Sequence, residues 1–189
     1  MKLIIQAILL TIIFTIITGV LYPLAITGIA QVTFHDKANG SRIRQSRDGK
    51  VVGSELLAQQ FTSGKYFWPR PSAGSYATVP SGASNLGPTS GTLQSNVLNN
   101  AKAFRDGNKL AADAPVPADM VFTSGSGLDP HISPAAARLQ IVRVAAERTT
   151  DVARVTALVD NFIERPQWGF LGEPRVNVLR LNLALDQGK

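Results

Sequence analysis

Between Leu3 and Phe34 the chain carries no charged residue: LIIQAILLTIIFTIITGVLYPLAITGIAQVTF. The hydrocarbon core of a bilayer takes about 20 apolar residues in helical form, a length the run reaches even if it ends at Tyr22-Pro23. It is apolar on nearly every face, whereas a helix packed on a soluble core keeps a polar side. The reading is a transmembrane anchor helix over residues 1–34, with residues 35–189 attached to it as one soluble domain. The rival is a cleaved signal peptide, with Lys2 as its positive start and Gly28-Ile29-Ala30 as its cleavage site. The apolar run is, however, about twice the usual 7–15 residues of a signal core.

The faces of this helix differ. At about 100° per residue, Thr11, Thr15, Thr18, Gly19 and Tyr22 share one stripe. Lipid tails are as apolar as Leu, so membrane helices associate through small and weakly polar faces. Thr15 and Gly19 form a small-xxx-small pair and are candidate partner contacts. In the alternative reading, each threonine hydroxyl simply bonds the carbonyl four residues before it.

The charge of +6 becomes informative once located. Lys37, Arg42, Arg44, Arg47 and Lys50 cluster just after the anchor, with only Asp36 and Asp48 against them. The remaining 139 residues carry +2. The basicity therefore lies where anionic headgroups are, and no nucleic-acid footprint remains. Basic residues after the helix favour the cytoplasmic side, but that rule weakens for long translocated domains, so the sequence leaves the side open. The absence of cysteine excludes disulfides and thiolate metal sites, and His35 and His131 alone make a multi-histidine site untenable.

Along the domain, Asp48-Gly49 between Arg42–Arg47 and Lys50–Val52 predicts a surface hairpin. Ser54 as N-cap with Leu57 and Phe61 on one face predicts a short helix over 55–61. From Thr62 to Gly91 no period survives, and five glycines, four prolines and six serines interrupt the segment. Tyr66, Phe67, Trp68 and Tyr76 are unusual in solvated segments. An ordered, exposed contact loop is expected, with Arg70 projecting from stiff backbone between Pro69 and Pro71. Leu93, Val97, Ala101 and Phe104 predict a helix stopped by Asp106-Gly107-Asn108. Asp119–Thr123 reads as a short buried strand. After it come a helix from Ser133-Pro134 to Glu147, burying Ala135, Leu139, Val142 and Ala146, and an antiparallel neighbour capped by Thr150. Pro174–Leu183, with Leu179, Leu181 and Leu183 on one face, reads as a central strand. The sum is an N-terminal transmembrane helix followed by one α+β domain.

The run from Ser124 to Pro134, SGSGLDPHISP, allows three readings. As an anion cradle, Ser124, Gly125, Ser126 and Gly127 would offer backbone amides before a helix start, but the Gly-Lys-Ser/Thr ending of a phosphate loop is missing. As a hydrolase site, Ser126, Asp129 and His131 are the right residue types, yet there is no G-x-S-x-G elbow and six consecutive residues converge poorly. As a rigid docking turn, Asp129 bonds backbone, His131 helps cap the helix, and Gly125 and Gly127 are candidates for positive φ.

Tyr66-Phe67, Arg70-Pro71-Ser72-Ala73 and Tyr76, then Ser84-Asn85-Leu86-Gly87-Pro88, the Ser124–Pro134 run, Pro174–Leu179 and Leu181–Leu185 together resemble the C subunit family of the Kdp-type potassium-transporting ATPase. The resemblance covers the whole chain, with Ala83 standing where a second glycine is expected. It implies a single-span subunit of a bacterial inner-membrane complex, with the soluble domain extracytoplasmic. The implied partners are a channel-like potassium-binding subunit, an ATP-hydrolysing P-type subunit and a small membrane peptide. It implies a role in assembly, and as a catalytic chaperone that promotes ATP binding by the P-type subunit. Arg70, Asn85, Asp129 and His131 become candidate partner contacts. The chain has neither an Asp-Lys-Thr-Gly motif nor a Walker motif, so no bound cofactor and no ATP hydrolysis are expected of it alone; ATP enters through the complex. The alternative is a membrane-anchored extracytoplasmic enzyme using Ser126 and His131.

Overall fold

The computed structural model of the chain describes residues 1–45 and 49–188. It divides into two compact units, Met1–Val52 and Gly53–Lys189.

In the first unit, α1 (Lys2–Ile16), a π-helical turn (Ile17–Leu21) and α2 (Tyr22–Thr33) run as one helix, long and apolar enough to cross a membrane. The π turn has a local cause. Pro23 lacks an N–H, and its ring presses on the carbonyl of Gly19 four residues back. Widening one turn, with the Tyr22 N–H donating to the Ile17 carbonyl, accommodates it. The wider turn advances each residue by a smaller angle, so the threonine stripe drifts out of register beyond Ile17. Thr15 and Gly19 still stack, since a Cβ at Gly19 would lie 4.0 Å from Thr15 Cγ2. Thr11 and Thr18 donate to the carbonyls of Ala7 and Phe14 at 2.9 and 2.7 Å, the bonds of the alternative reading. A short α3 (His35–Ala38) follows, then β1 (Arg42–Arg44) pairs with β2 (Val51–Ser54). The Asp48-Gly49 turn assigned to this hairpin lies partly outside the described residues, since Asp48 is not among them.

The second unit has a mixed core. A three-stranded antiparallel sheet, ordered β3-β5-β4, comprises β3 (His131–Ile132), β4 (Ile163–Glu164) and β5 (Arg175–Asn177). Val176 sits at its centre, opposite Ile132 and Ile163. Around it pack α4 (Gly91–Asn108), α5 (Pro134–Glu147), α6 (Val152–Asn161) and α7 (Val178–Asp186). Phe67, Ile132, Val144, Val155, Val159, Val176 and Leu181 are fully buried together. The α+β class expected from the sequence is the observed one.

Several local expectations fail for identifiable reasons. Residues 55–61 are a turn and extended chain: the Leu56 N–H donates to Ser54 Oγ, and the Ala58 N–H donates to the Leu128 carbonyl, drawing the backbone out of helical path. Residues 119–123 are not a strand: Asp119 and Met120 belong to a 3₁₀ turn, Ala118–Met120, whose Asp119 accepts from the backbone and hydroxyl of Ser133. α4, by contrast, does end at the expected Asp106-Gly107-Asn108 signal, running to Asn108 and closing on Lys109 at φ 55°, and Gly107 also makes room for the Trp68 indole, which any Cβ there would overlap. The cap of α6 is Asp151, not Thr150. The predicted long strand is cut at Asn177, whose side chain accepts from the Arg180 N–H and starts α7. The strand is central but only three residues long.

The buried face of α5 is also rotated from the expected one. Ala135, Val142 and Ala146 are exposed, while Ala136, Ala137, Gln140, Ile141, Arg143, Val144 and Ala145 are buried. Two polar residues face inward, and they lead to the candidate site.

Candidate functional site

The irregular segment from Gly64 to Tyr76 is held by side chains that read its backbone as a neighbouring strand would. Asn182 on α7 accepts from the Phe67 N–H at 2.8 Å and donates to the Phe67 carbonyl at 3.0 Å. Gln140 on α5 does the same for Trp68, at 2.7 and 3.3 Å. Arg143, one turn further on, donates to the carbonyls of Gly64 and Tyr66 at 2.5 and 2.9 Å, to Asn108 and to Gln140. Its guanidinium also lies 4.0 Å from the centre of the Trp68 ring. Burial pushes the Arg143 guanidinium down to about 10, with Glu147 pulling the other way, so it keeps its charge at neutral pH. Buried backbone polar groups need partners, and here three side chains supply them.

Arg70 does not project outward. Its Nη1 lies 2.7 Å from Asp129 Oδ2, and Tyr76 donates its hydroxyl to the Arg70 carbonyl at 2.8 Å, folding the Pro-Arg-Pro segment onto the domain. Asp129 also accepts from the His131 N–H at 3.0 Å, and the His131 ring lies between Asp129 (3.5 Å) and Glu164 (3.9 Å). Glu164 pairs with Arg175 across the β4–β5 ladder at 3.0 Å. Burial opposes charge on Asp129, but the bonds from His131 and Arg70, together with the Arg70 charge, prevail and hold its carboxyl down at about 2. Arg70, Asp129, His131 and Arg175 border an open cleft of ≈ 450 Å³, lined also by Asp119, Ser133 and Glu173.

The Ser124–Pro134 run is a junction. Its Ser124 N–H donates to the Pro71 carbonyl, its Gly127 carbonyl accepts from Ser72 Oγ at 2.7 Å, and its Leu128 and Pro130 carbonyls accept from the N–H groups of Ala58 and Val178. The amides of Gly127, Leu128 and Asp129 bond Ser124 O, Ser126 Oγ and Ser124 Oγ, so they turn into the loop. Gly127 sits at φ +69°, and a Cβ there would meet the Gly82 carbonyl at 2.9 Å. Gly125, the other candidate for positive φ, does not have it, and a Cβ there would meet nothing within 4 Å. Ser133 does cap α5, accepting from the Ala136 N–H at 3.1 Å.

The structure therefore brings Arg70, Asp129 and His131 together beside Ser124–Gly127. Asn85 is exposed at φ 53°, and Thr15 and Gly19 lie in the other unit. Gln140, Arg143, Asn182 and Glu164 were missed by the sequence reading. A signal for three of them existed: Gln140 and Arg143, one turn apart, and Asn182 each interrupt a run of small or aliphatic residues. Trp168 and Phe170, exposed at the β4–β5 connection, are not among the residues singled out from the sequence.

Comparison with known proteins agrees with the whole length of this arrangement. The family model described as K+-transporting ATPase, c chain, matches residues 4–187. The potassium-transporting ATPase KdpC subunit of Rhodospirillum rubrum is 55% identical over 175 residues, 92% of this chain and 89% of that one. The KdpC subunit of Dechloromonas aromatica is 52% identical over 186 residues, covering 95% and 94%. That of Mycobacterium tuberculosis strain H37Rv is 49% identical over 183 residues, covering 96% of each. With matches spanning both the apolar helix and the α+β unit, the chain belongs to the c-chain family of K+-transporting ATPases.

Proposed function

We propose that the chain is a non-catalytic accessory subunit of an ATP-driven potassium importer. It assembles with the channel-like potassium-binding subunit, the ATP-hydrolysing P-type subunit and a small membrane peptide, and it promotes nucleotide binding by the P-type subunit. The observation that supports this over an enzyme is the disposition of the reactive residue types. The Ser126 hydroxyl accepts from the Leu128 N–H, while the His131 ring lies against Asp129 and Glu164, so both act within the fold. Thr15 and Gly19 present a small face for packing on other membrane helices. The domain sits on the extracytoplasmic side in this reading, so its effect on a cytoplasmic ATP site travels through the helices and partners as a coupling free energy.

The test is reconstitution with and without this chain. Its omission is expected to abolish a stable complex, and Thr15→Leu with Gly19→Leu to weaken it. Ser126→Ala is expected to keep potassium-stimulated ATP hydrolysis within a few-fold. A loss of about 10³ with normal assembly, the size expected for a removed nucleophile, would favour an enzyme using Ser126 and His131 instead. The side is settled by Ala77→Cys, since the chain has no cysteine of its own. Labelling of intact cells by an impermeant maleimide supports the outside, whereas labelling only after lysis contradicts it.

A further inference from the structure

The connection between β4 and β5 ends in a tight hairpin that displays apolar side chains and buries none of them. Gln167 and Leu171 exchange backbone hydrogen bonds at 2.9 Å in both directions, and the Gly169 and Phe170 amides bond Pro166 and Gln167. The tip is thus fixed in shape. Yet Trp168 is 86% exposed, Phe170 73% and Leu171 45%. Trp168 also sits at φ 53°, beside Gly169 at φ 85°. For a bulky side chain the left-handed region is a strained outlier. Asn or Gly would take that position without strain. The indole therefore destabilises its own turn and makes up for none of it by burial within its unit.

We propose that this tip is an anchor that inserts Trp168 and Phe170 into an apolar, charge-rimmed pocket on another protein subunit of the assembly. The proposal rests on the reading of the chain as an accessory subunit. The surroundings choose protein over lipid. Glu164, Arg165, Glu173 and Arg175 flank the tip with two charges of each sign, and Glu164 and Arg175 neutralise each other at 3.0 Å. Segments that seat aromatic residues in a bilayer surface draw on an excess of Lys and Arg, which is absent here. Exposed aromatics at the centre of a balanced polar rim are the composition of a protein–protein hot spot, where Trp dominates the energy. A rigid hairpin also presents them with little ordering left to do on binding.

The test places a photo-reactive benzoylphenylalanine at position 168 in the full chain, co-expressed with the other subunits and irradiated in native membranes before purification. A covalent adduct with another subunit is the expected result. Adducts with lipid alone, with a second copy of this chain, or none in a complex that still assembles would overturn it. In parallel, Trp168→Asn with Phe170→Ser keeps a residue suited to positive φ. Recovery of this variant with the tagged P-type subunit is expected to fall at least about 10-fold, consistent with a hot spot, while its unfolding midpoint stays at or rises above the wild-type value, since Asn takes that φ without strain. Unchanged recovery, or a lowered midpoint, would contradict the proposal. If the unaltered chain itself fails to co-purify, the accessory-subunit reading fails first and this one with it.

Discussion

Tyr66, Phe67, Trp68 and Tyr76 lie in an irregular stretch rich in Gly, Pro and Ser, and Trp168 and Phe170 lie in a second irregular stretch that has Gly and Pro but no Ser. In the first, Phe67 is fully buried and its neighbours partly so; in the second, both aromatics face solvent. Hydrophobicity alone does not separate the two. The difference lies in the backbone beneath the rings. A loop can enter a core only if its N–H and C=O groups find partners, and the first loop finds Asn182, Gln140 and Arg143 waiting on α7 and α5. The hairpin satisfies its own amides across two residues, Gln167 and Leu171, and needs no such support. One loop is core by virtue of polar side chains, and the other is free to serve a surface.

The comparison breaks most readily at Asn182. Asn182→Ala leaves the Phe67 N–H and C=O buried without partners, at about 1–3 kcal/mol each. A destabilisation of about 2–5 kcal/mol is expected in chemical denaturation, a large share of the stability of an ordinary domain. An effect below about 1 kcal/mol would show that the loop does not depend on the clamp.

A smaller effect is expected where the junction touches the loop. Gly127→Val puts a β-branched side chain at φ +69° and against the Gly82 carbonyl, so a loss of about 1–3 kcal/mol is expected. Gly125→Val, in open space and without positive φ, is expected within about 0.5 kcal/mol of wild type. Equal effects at the two glycines would mean that the run tolerates change as a simple surface turn.

The third prediction concerns pH. Asp129 has its folded pKa lowered from 3.8 to about 2. A depressed carboxylate pKa contributes stability that is fully present above the unfolded value and is lost as pH falls through the folded one. The margin of wild type over Asp129→Asn is therefore expected to shrink between about pH 4 and pH 2. Its size is on the order of 2 kcal/mol at most, reduced by the partial exposure of the pair. A margin independent of pH across that window would remove Arg70–Asp129 as the fastening of the Pro-Arg-Pro segment.

Much of this architecture is legible in the sequence because it rests on local rules. The spanning helix follows from an uncharged run, the cap Ser133 from a side chain that can bond free helix amides, and the α+β class from the alternation of periodic segments. What could not be read depends on partners far along the chain. Asn177 looks like a strand residue until its side chain caps α7, and nothing near Gly107 in the chain announces that it also makes room for Trp68. Arg70 looks like a solvated cation until Asp129, 59 residues away, is found beside it. The α5 face was misjudged for the same reason: choosing Ala135, Leu139, Val142 and Ala146 as the buried face is sound for a helix facing only apolar neighbours, and fails for one whose Gln140 and Arg143 face an irregular backbone. The cluster of Arg70, Asp129 and His131 was legible as a set of residues but not as a geometry.

The claim that the loop belongs to the core is tested most directly by hydrogen exchange in the full-length chain. The amides of Phe67 and Trp68 are expected to exchange only through global unfolding, with protection matching that of Val144 and Leu181. The amides of Thr78, Val79 and Ser81, in the exposed continuation of the same segment, are expected to exchange by local opening. If Phe67 and Trp68 exchange as fast as Thr78 and Val79, the clamp of Asn182, Gln140 and Arg143 does not hold the loop, and the account is wrong.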